Sequence, residues 1–155
     1  MPGTALRIRE IADGDLSEVV RIDGLRTGFP KPGYWRRVFL EFHRTGDGHA
    51  RVGLAVEGPT PGRLDGYLLG DVRAFEFGSE PCGWIFAVAV DPVRGRGGVA
   101  TALLEEACRR FRAAGVTRVR TMVRRNDVPF LSFFRARGFV GGPFVQLEHD
   151  LGLPS

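Results

Sequence analysis

Residues 90–104 read VDPVRGRGGVATALL. An apolar strand end is followed by a proline, then by Arg94 and Arg96 threaded through Gly95, Gly97 and Gly98, then by a helical pattern. The opening turns of a helix leave N–H groups unpaired, and the aligned peptide dipoles add partial positive charge there. Glycines let a ligand approach the backbone and the arginines add full charges, so the stretch is suited to cradling phosphates. A flexible turn with solvated arginines is the alternative with no function attached.

Two rival phosphate chemistries fail on spacing. Gly95-x-Gly97-x-x-Ala100 matches a dinucleotide-binding fingerprint, but that reading needs an acid at the end of the next strand to hold a ribose. The next strand pattern, VTRVRTMVRR, carries no acid before Asp127. A Walker loop fails because no Lys-Ser or Lys-Thr pair follows the glycines. Cys82 and Cys108 are far apart and form no C-x-x-C pair, and His43, His49 and His149 lack ligand spacing, so no metal site is expected. Cys108 falls on the apolar side of a helical pattern and reads as a small buried hydrophobe.

The elements that must position this loop follow from periodicity. LRIREI alternates as a strand, and DGDLSEVVRID has Leu16, Val19, Val20 and Ile22 near helical spacing with Asp15 available to cap it. TGFPKPG breaks the chain and YWRRVFLEFHR resumes a helix. ARVGLAVEG and RLDGYLLGDVRAF are strands of a hairpin, and WIFAVAV is a continuous apolar run expected of a strand covered on both faces. Ala100, Leu103, Leu104, Ala107, Cys108 and Phe111 make one helical stripe that ends at Gly115. VTRVRTMVRR alternates as a strand, PFLSFFRARG reads as a helix with proline in its first turn, and FVQLEHDL returns to strand. The order is an α/β mixture, a meander followed by a crossover unit.

The 155 residues suit one domain, 1–155, with its own core. The net charge of +4 rests almost wholly on arginine, since Lys31 is the only lysine. The arginines are scattered rather than clustered, which argues against nucleic acid as a partner. The N-terminal residues show no signal-like apolar region and the longest apolar run, Trp84–Val90, is too short to span a bilayer, so a soluble, cytoplasmic protein without membrane contact is expected.

With these elements in place, the chain resembles the GNAT superfamily of N-acetyltransferases. The VDP of Val90–Pro92 stands where that family has V-x-P at the end of its fourth strand, and Gly95-Arg96-Gly97-Gly98-Val99-Ala100 aligns with its pyrophosphate motif. NDVPFLSFFRARGF, residues 126–139, matches its second signature. The resemblance implies a splayed mixed sheet of six to seven strands flanked by about four helices, with acetyl-CoA as co-substrate in the gap and no metal. It implies that Val88, Ala89 and Val90 bond the pantetheine arm and that Gly97, Gly98, Val99, Ala100 and Thr101 hold the pyrophosphate. Arg94, Gly95 and Arg96 lie beside the phosphates on this reading, and Asn126 and Phe133 also bind the cofactor. The acceptor would meet Arg26, Phe29, Tyr34 and Trp35 of the region between the first two helices, unless Trp35 belongs to the core, and a homodimer through C-terminal strands is a common arrangement.

Two departures bear on the chemistry. The motif's leading Gln/Arg position is Gly95, and the position where many members carry a tyrosine general acid is Phe134. The leaving group is a thiol, whose free pKa of about 8.5 lets it depart as thiolate near neutral pH. WIFAVAV carries no acid, so Glu76, Glu80 and Asp127 are the candidate bases, with His43 on the second helix a further one. The function expected is acetyl transfer from acetyl-CoA to a primary amine by direct attack. A non-catalytic acyl-CoA-binding module is the alternative, and a basic nucleic-acid-binding protein a third.

Overall fold

A computed structural model describes residues 6–74, 78–94 and 97–154. The chain forms two compact units, residues 1–122 and 123–155. The first begins with β1 (Ile8–Glu10), a single 3-10 turn at Asp13–Asp15, α1 (Leu16–Thr27) and α2 (Pro32–Phe42). It continues with β2 (Arg51–Glu57), β3 (Leu64–Arg73), β4 (Cys82–Val90), α3 (Val99–Ala113) and β5 (Val119–Thr121). The second unit holds α4 (Val128–Ala136). The sheet has five strands in sequence order, antiparallel except for the parallel β4–β5 pair.

Each face of the sheet is sealed differently. On one, Val19 and Ile22 of α1 and Trp35 and Phe39 of α2 pack with Ile11, Ala55, Tyr67, Leu69 and Ala89. Tyr67 is fully buried and Trp35 meets it edge-to-face at 5.9 Å. Trp35 donates its indole N–H to Asp23 Oδ2 at 3.0 Å, so it is a core residue with a satisfied polar end. On the other face α3 buries Val99, Leu103, Leu104, Ala107 and Phe111, much as the stripe predicted. It sits close because β3 and β4 present glycines to it. A Cβ on Gly83 would lie 2.6 Å from Phe111 Cγ, and one on Gly66 would lie 2.8 Å from Val99 Cγ1.

Several expectations need correction. Among the described residues the sheet has five strands, not six to seven. Residues 139–154, which include FVQLEHDL, contain no strand. Alternation supplies a period, but a strand also needs a hydrogen-bonding edge, and the described residues of the second unit include no other strand to provide one. The strand expected over VTRVRTMVRR shrinks to Val119–Thr121, paired with Gly83–Ile85 alone. Asp15 occupies the α1 N-cap position without a side-chain cap. Its carboxylate instead accepts from both terminal nitrogens of Arg9, at 2.8 and 2.9 Å, and from Ala12 N at 2.8 Å. A charged guanidinium outcompetes a helix amide for the same oxygens.

Candidate acetyl-donor edge and acceptor cleft

β4 is the axis of the candidate site. Its parallel partner stops at Ile85, whereas the strand itself runs to Val90, so Phe86–Val90 continue past β5. On the β3 side the register passes from Gly70↔Ile85 to Leu69↔Ala87, which makes Phe86 a bulge without a β3 partner. Beyond the bulge, Asp91 N donates to Asp65 O at 2.8 Å. By alternation Ala89 also faces β3, and Val88 and Val90 turn their N–H and C=O groups toward the edge that β5 leaves uncovered. An extended ligand can add there as a strand does.

The chain leaves this edge through a loop shaped by Asp91. Its buried carboxylate accepts from Val93 N at 2.8 Å and Arg94 N at 3.0 Å through Oδ1, and from Arg21 Nη1 at 2.8 Å through Oδ2. Burial pushes the Asp91 carboxyl up, but the Arg94 N–H, Arg21 and the Val93 N–H outweigh it and hold the group below its ordinary range. Arg21 also grips Glu18 with two bonds of 2.8 Å, and Glu18 accepts from Leu64 N. One chain of charges therefore ties α1 to the loop. Gly97 and Gly98 have φ of 80° and 86°, the left-handed region that favours glycine. Gly98 caps α3 with no side chain, so the amides of Val99 and Ala100 meet no capping group. Gly95 and Arg96 lie outside the described residues. Arg94 is half-exposed, its Nε 3.9 Å from Asp65 Oδ1. The donor set of an uncovered strand edge, strand-end amides and an uncapped helix start fits a pantetheine pyrophosphate.

A cleft of about 690 Å³ opens on the α1–α2 face of the same strand. Tyr34, Arg37, Val38, Glu41 and Phe42 of α2 form one wall. Asp47 and His49 of the following loop, Arg51 of β2, Asp71 and Arg73 of β3 and Phe86 of β4 form the rest. The bulged Phe86 therefore belongs both to the cleft and to the point where β4 outruns β5. Asp71, buried, accepts from Arg73 Nε at 2.9 Å and Arg73 Nη2 at 2.8 Å, and pairs with His49 Nε2 at 3.0 Å. The Arg73 guanidinium lies 5.9 Å from the rings of both Trp84 and Phe86. The loop carrying His49 is pinned by Asp47, which accepts from His49 N at 2.9 Å and from Arg51 Nη2 at 2.6 Å. Arg51, foremost, holds the Asp47 carboxyl well below the usual carboxylate range.

Of the acceptor residues expected from sequence, the structure brings Tyr34 to the cleft; Phe29 is exposed and Arg26 does not line it. Glu80 is exposed in the loop before β4 and does not line the cleft, and Glu76 lies outside the described residues. His43 does not line it either: its Nδ1 lies 3.0 Å from both Phe39 O and Asp13 Oδ1. Sequence reading missed His49, Asp71 and Arg73. The histidine and the aspartate are 22 positions apart, and only the β2–β3 pairing, with Val72 N donating to Ala50 O, makes them neighbours. The Asp71-x-Arg73 spacing on a strand was the one available signal, since it places both side chains on one face.

In the second unit, Asp127 caps α4 by accepting from Phe130 N at 3.2 Å. Its carboxylate is thereby committed to a helix start. Phe134 is buried, stacked on Phe130 at 5.3 Å and edge-on to Phe133 and Phe139 at 5.2 and 5.0 Å, an aromatic cluster without a hydroxyl. Phe133 is half-buried beneath the Arg137 guanidinium, 4.0 Å away, and Asn126 is exposed one residue before the cap. Among the described residues no group of three or more His, Cys, Asp or Glu could hold a metal ion. Nor is any described helix long and apolar enough to cross a membrane.

Comparison with known proteins supplies an independent line. The model of the acetyltransferase (GNAT) family matches residues 16–139. No curated protein matches the chain. Among solved structures, the aminoglycoside N-acetyltransferase AAC(6')-Iy in complex with CoA superposes with a TM-score of 0.79 at 15% identity, covering 98% of this chain and 99% of that one. A Trypanosoma brucei acetyltransferase gives 0.71 at 24% identity, covering 95% and 100%. A Bacillus halodurans C-125 transcriptional regulator gives 0.75 at 16%, covering 94% and 100%. At these identities the likeness is one of fold. The family model spans most of the length, so the chain belongs to the GNAT family of acetyltransferases and is an acyltransferase.

Proposed function

We propose that this protein transfers the acetyl group of acetyl-CoA to a primary amine of a small molecule or peptide by direct attack. One observation carries the reading: β4 outruns β5 from Phe86 onward, and the cleft begins at that same residue. A donor laid along Phe86–Val90 would place its thioester at the mouth of the cleft where an amine enters. Val88, Ala89 and Val90 would bond the pantetheine arm, and the loop from Arg94 through Thr101 would hold the pyrophosphate. The acetyl donor supplies the activated carbonyl; the chain orients it, and strand amides aimed at the carbonyl oxygen stabilise the charge that develops there. Holding donor and amine together accounts for much of the rate gain. The span of the family match supports treating residues 1–155 as one acyltransferase domain.

The test is calorimetric titration with acetyl-CoA followed by thiol detection over a panel of primary amines. Sub-millimolar binding with thiol release is expected. Absence of binding would refute the reading, and binding without thiol release from any amine would leave the acyl-CoA-binding module, which the hydroxyl-free Phe134 position favours. We also propose a homodimer. Val145, Leu147, Leu151 and Leu153 alternate along the C-terminal stretch and are 79–95% exposed, which supports a second copy covering them.

A further inference from the structure

We propose that His49, held by Asp71, is the general base that takes the ammonium proton from the acceptor amine in the α2 cleft. The inference rests on the acetyl-transfer reading and names the proton acceptor that reading lacks. An aliphatic amine reaches the enzyme as an ammonium ion and cannot attack until it gives up a proton, and the apolar β4 carries no group to take it.

His49 meets the geometric requirements. Asp71 is a buried carboxylate whose two oxygens already accept from Arg73, and a carboxylate oxygen facing a ring nitrogen acts as the acceptor. The 3.0 Å contact from Nε2 therefore places the imidazole proton on that nitrogen and the lone pair on Nδ1. The His49 side chain is 37% exposed, which gives its proton a route to solvent. The other carboxylates lining the cleft are engaged by arginines, and Tyr34 of α2 has Lys31 Nζ 5.4 Å from its ring. Asp47 from the same loop is gripped by Arg51 of β2, Glu41 of α2 by Arg44, and the guanidinium of Arg37 of α2 cannot accept a proton. His49 and Phe86 line the same cleft, and Arg73, which holds Asp71, has its guanidinium 5.9 Å from the Phe86 ring. The base therefore faces the donor edge across that cleft, where a bridging water can relay the proton.

In the step, an N–H bond of the ammonium breaks and its proton passes to Nδ1, directly or through that water. The freed lone pair attacks the thioester carbonyl carbon and the C–S bond breaks with its electron pair leaving on sulfur. A second N–H proton goes to the thiolate, giving amide and free thiol. His49 then releases its proton to solvent, so one proton is produced per turnover.

The test compares wild type, His49→Gln and Asp71→Asn on the best amine of a panel of tyramine, spermidine and sisomicin. Removing a general base costs about 10²–10⁴ in rate. His49→Gln should lower kcat/KM within that range and erase the acid limb of its pH profile, with acetyl-CoA binding unchanged by calorimetry. Asp71→Asn should lower kcat/KM less and displace the limb. A long-range ¹⁵N–¹H spectrum of the wild-type protein, which needs no turnover, should show His49 protonated on Nε2. Wild-type thiol release matched by His49→Gln with the acid limb intact, or a proton on Nδ1, would overturn the role of His49 and leave acetyl transfer standing. Failure of the wild type to bind acetyl-CoA would instead remove the reading on which it rests.

Discussion

Gly83→Ala is the sharpest probe of how α3 is held against the sheet. The new Cβ would stand 2.6, 2.7 and 2.8 Å from Cγ, Cδ1 and Cδ2 of Phe111, distances at which something must move. Phe111 cannot turn away cheaply, because it is fully buried and its ring end also touches the site above Gly70, 2.9 Å from where a Cβ there would lie. The strand cannot yield freely either, since Gly83 pairs with Val72 on one side and Val119 on the other. Overpacking of this kind costs about 1–3 kcal/mol. For a chain of this length each kcal/mol lowers Tm by about 2–4 °C, so a fall of roughly 2–12 °C is expected in a thermal melt. Phe111→Leu removes the ring and leaves a cavity, so it too destabilises on its own. Combined, the two changes should cost less than their sum, because the smaller side chain makes room for the methyl group. A Gly83→Ala protein that melts with the wild type would refute the close approach of α3. So would strict additivity with Phe111→Leu.

Three further outcomes follow from named contacts. Asp91→Asn removes the charged partner of Arg21 at a buried site and should cost about 1.5–3 kcal/mol, read by urea unfolding, and weaken acetyl-CoA binding in calorimetry by loosening the Val93–Arg94 turn. Glu18, through Arg21, and Asp15 and Asp91, through partners that outweigh their burial, are all held below ordinary carboxylate values. Their contribution is present above the unfolded values of about 3.9–4.3 and lost as pH falls through the lower folded ones, so stability should drop in that acid window, less steeply in Asp91→Asn. Leu147→Asp with Leu151→Asp should convert a dimer to a monomer in light scattering; a wild-type monomer at micromolar concentration would contradict the dimer.

The glycine-rich entry to α3 was legible in the order of residues. A glycine-rich entry to a helix works through backbone amides and left-handed φ, and both are local properties that Gly97 and Gly98 declare by type. The α3 stripe was legible for the same reason: helical burial repeats on a period that neighbouring residues share. Asp15 shows where local reasoning fails. It has the type of a cap, yet Arg9 claims its carboxylate, and no cap rule includes a strand arginine.

The sequence by itself determined the helices and the first four strands, the position of the glycine-rich turn before α3 and the absence of an acid on β4. Tertiary structure decided the rest. The early end of β5 opens the β4 edge, and that follows from which residues find partners rather than from any preference within β4. The bulge at Phe86 is a mismatch of two strands, visible only once β3 and β4 are in register. His49 and Asp71 become a pair because β2 and β3 run antiparallel, bringing residues 22 apart to 3.0 Å. Backbone features are encoded within a few residues, whereas a side-chain constellation depends on contacts between distant segments, and only the packed sheet supplies those.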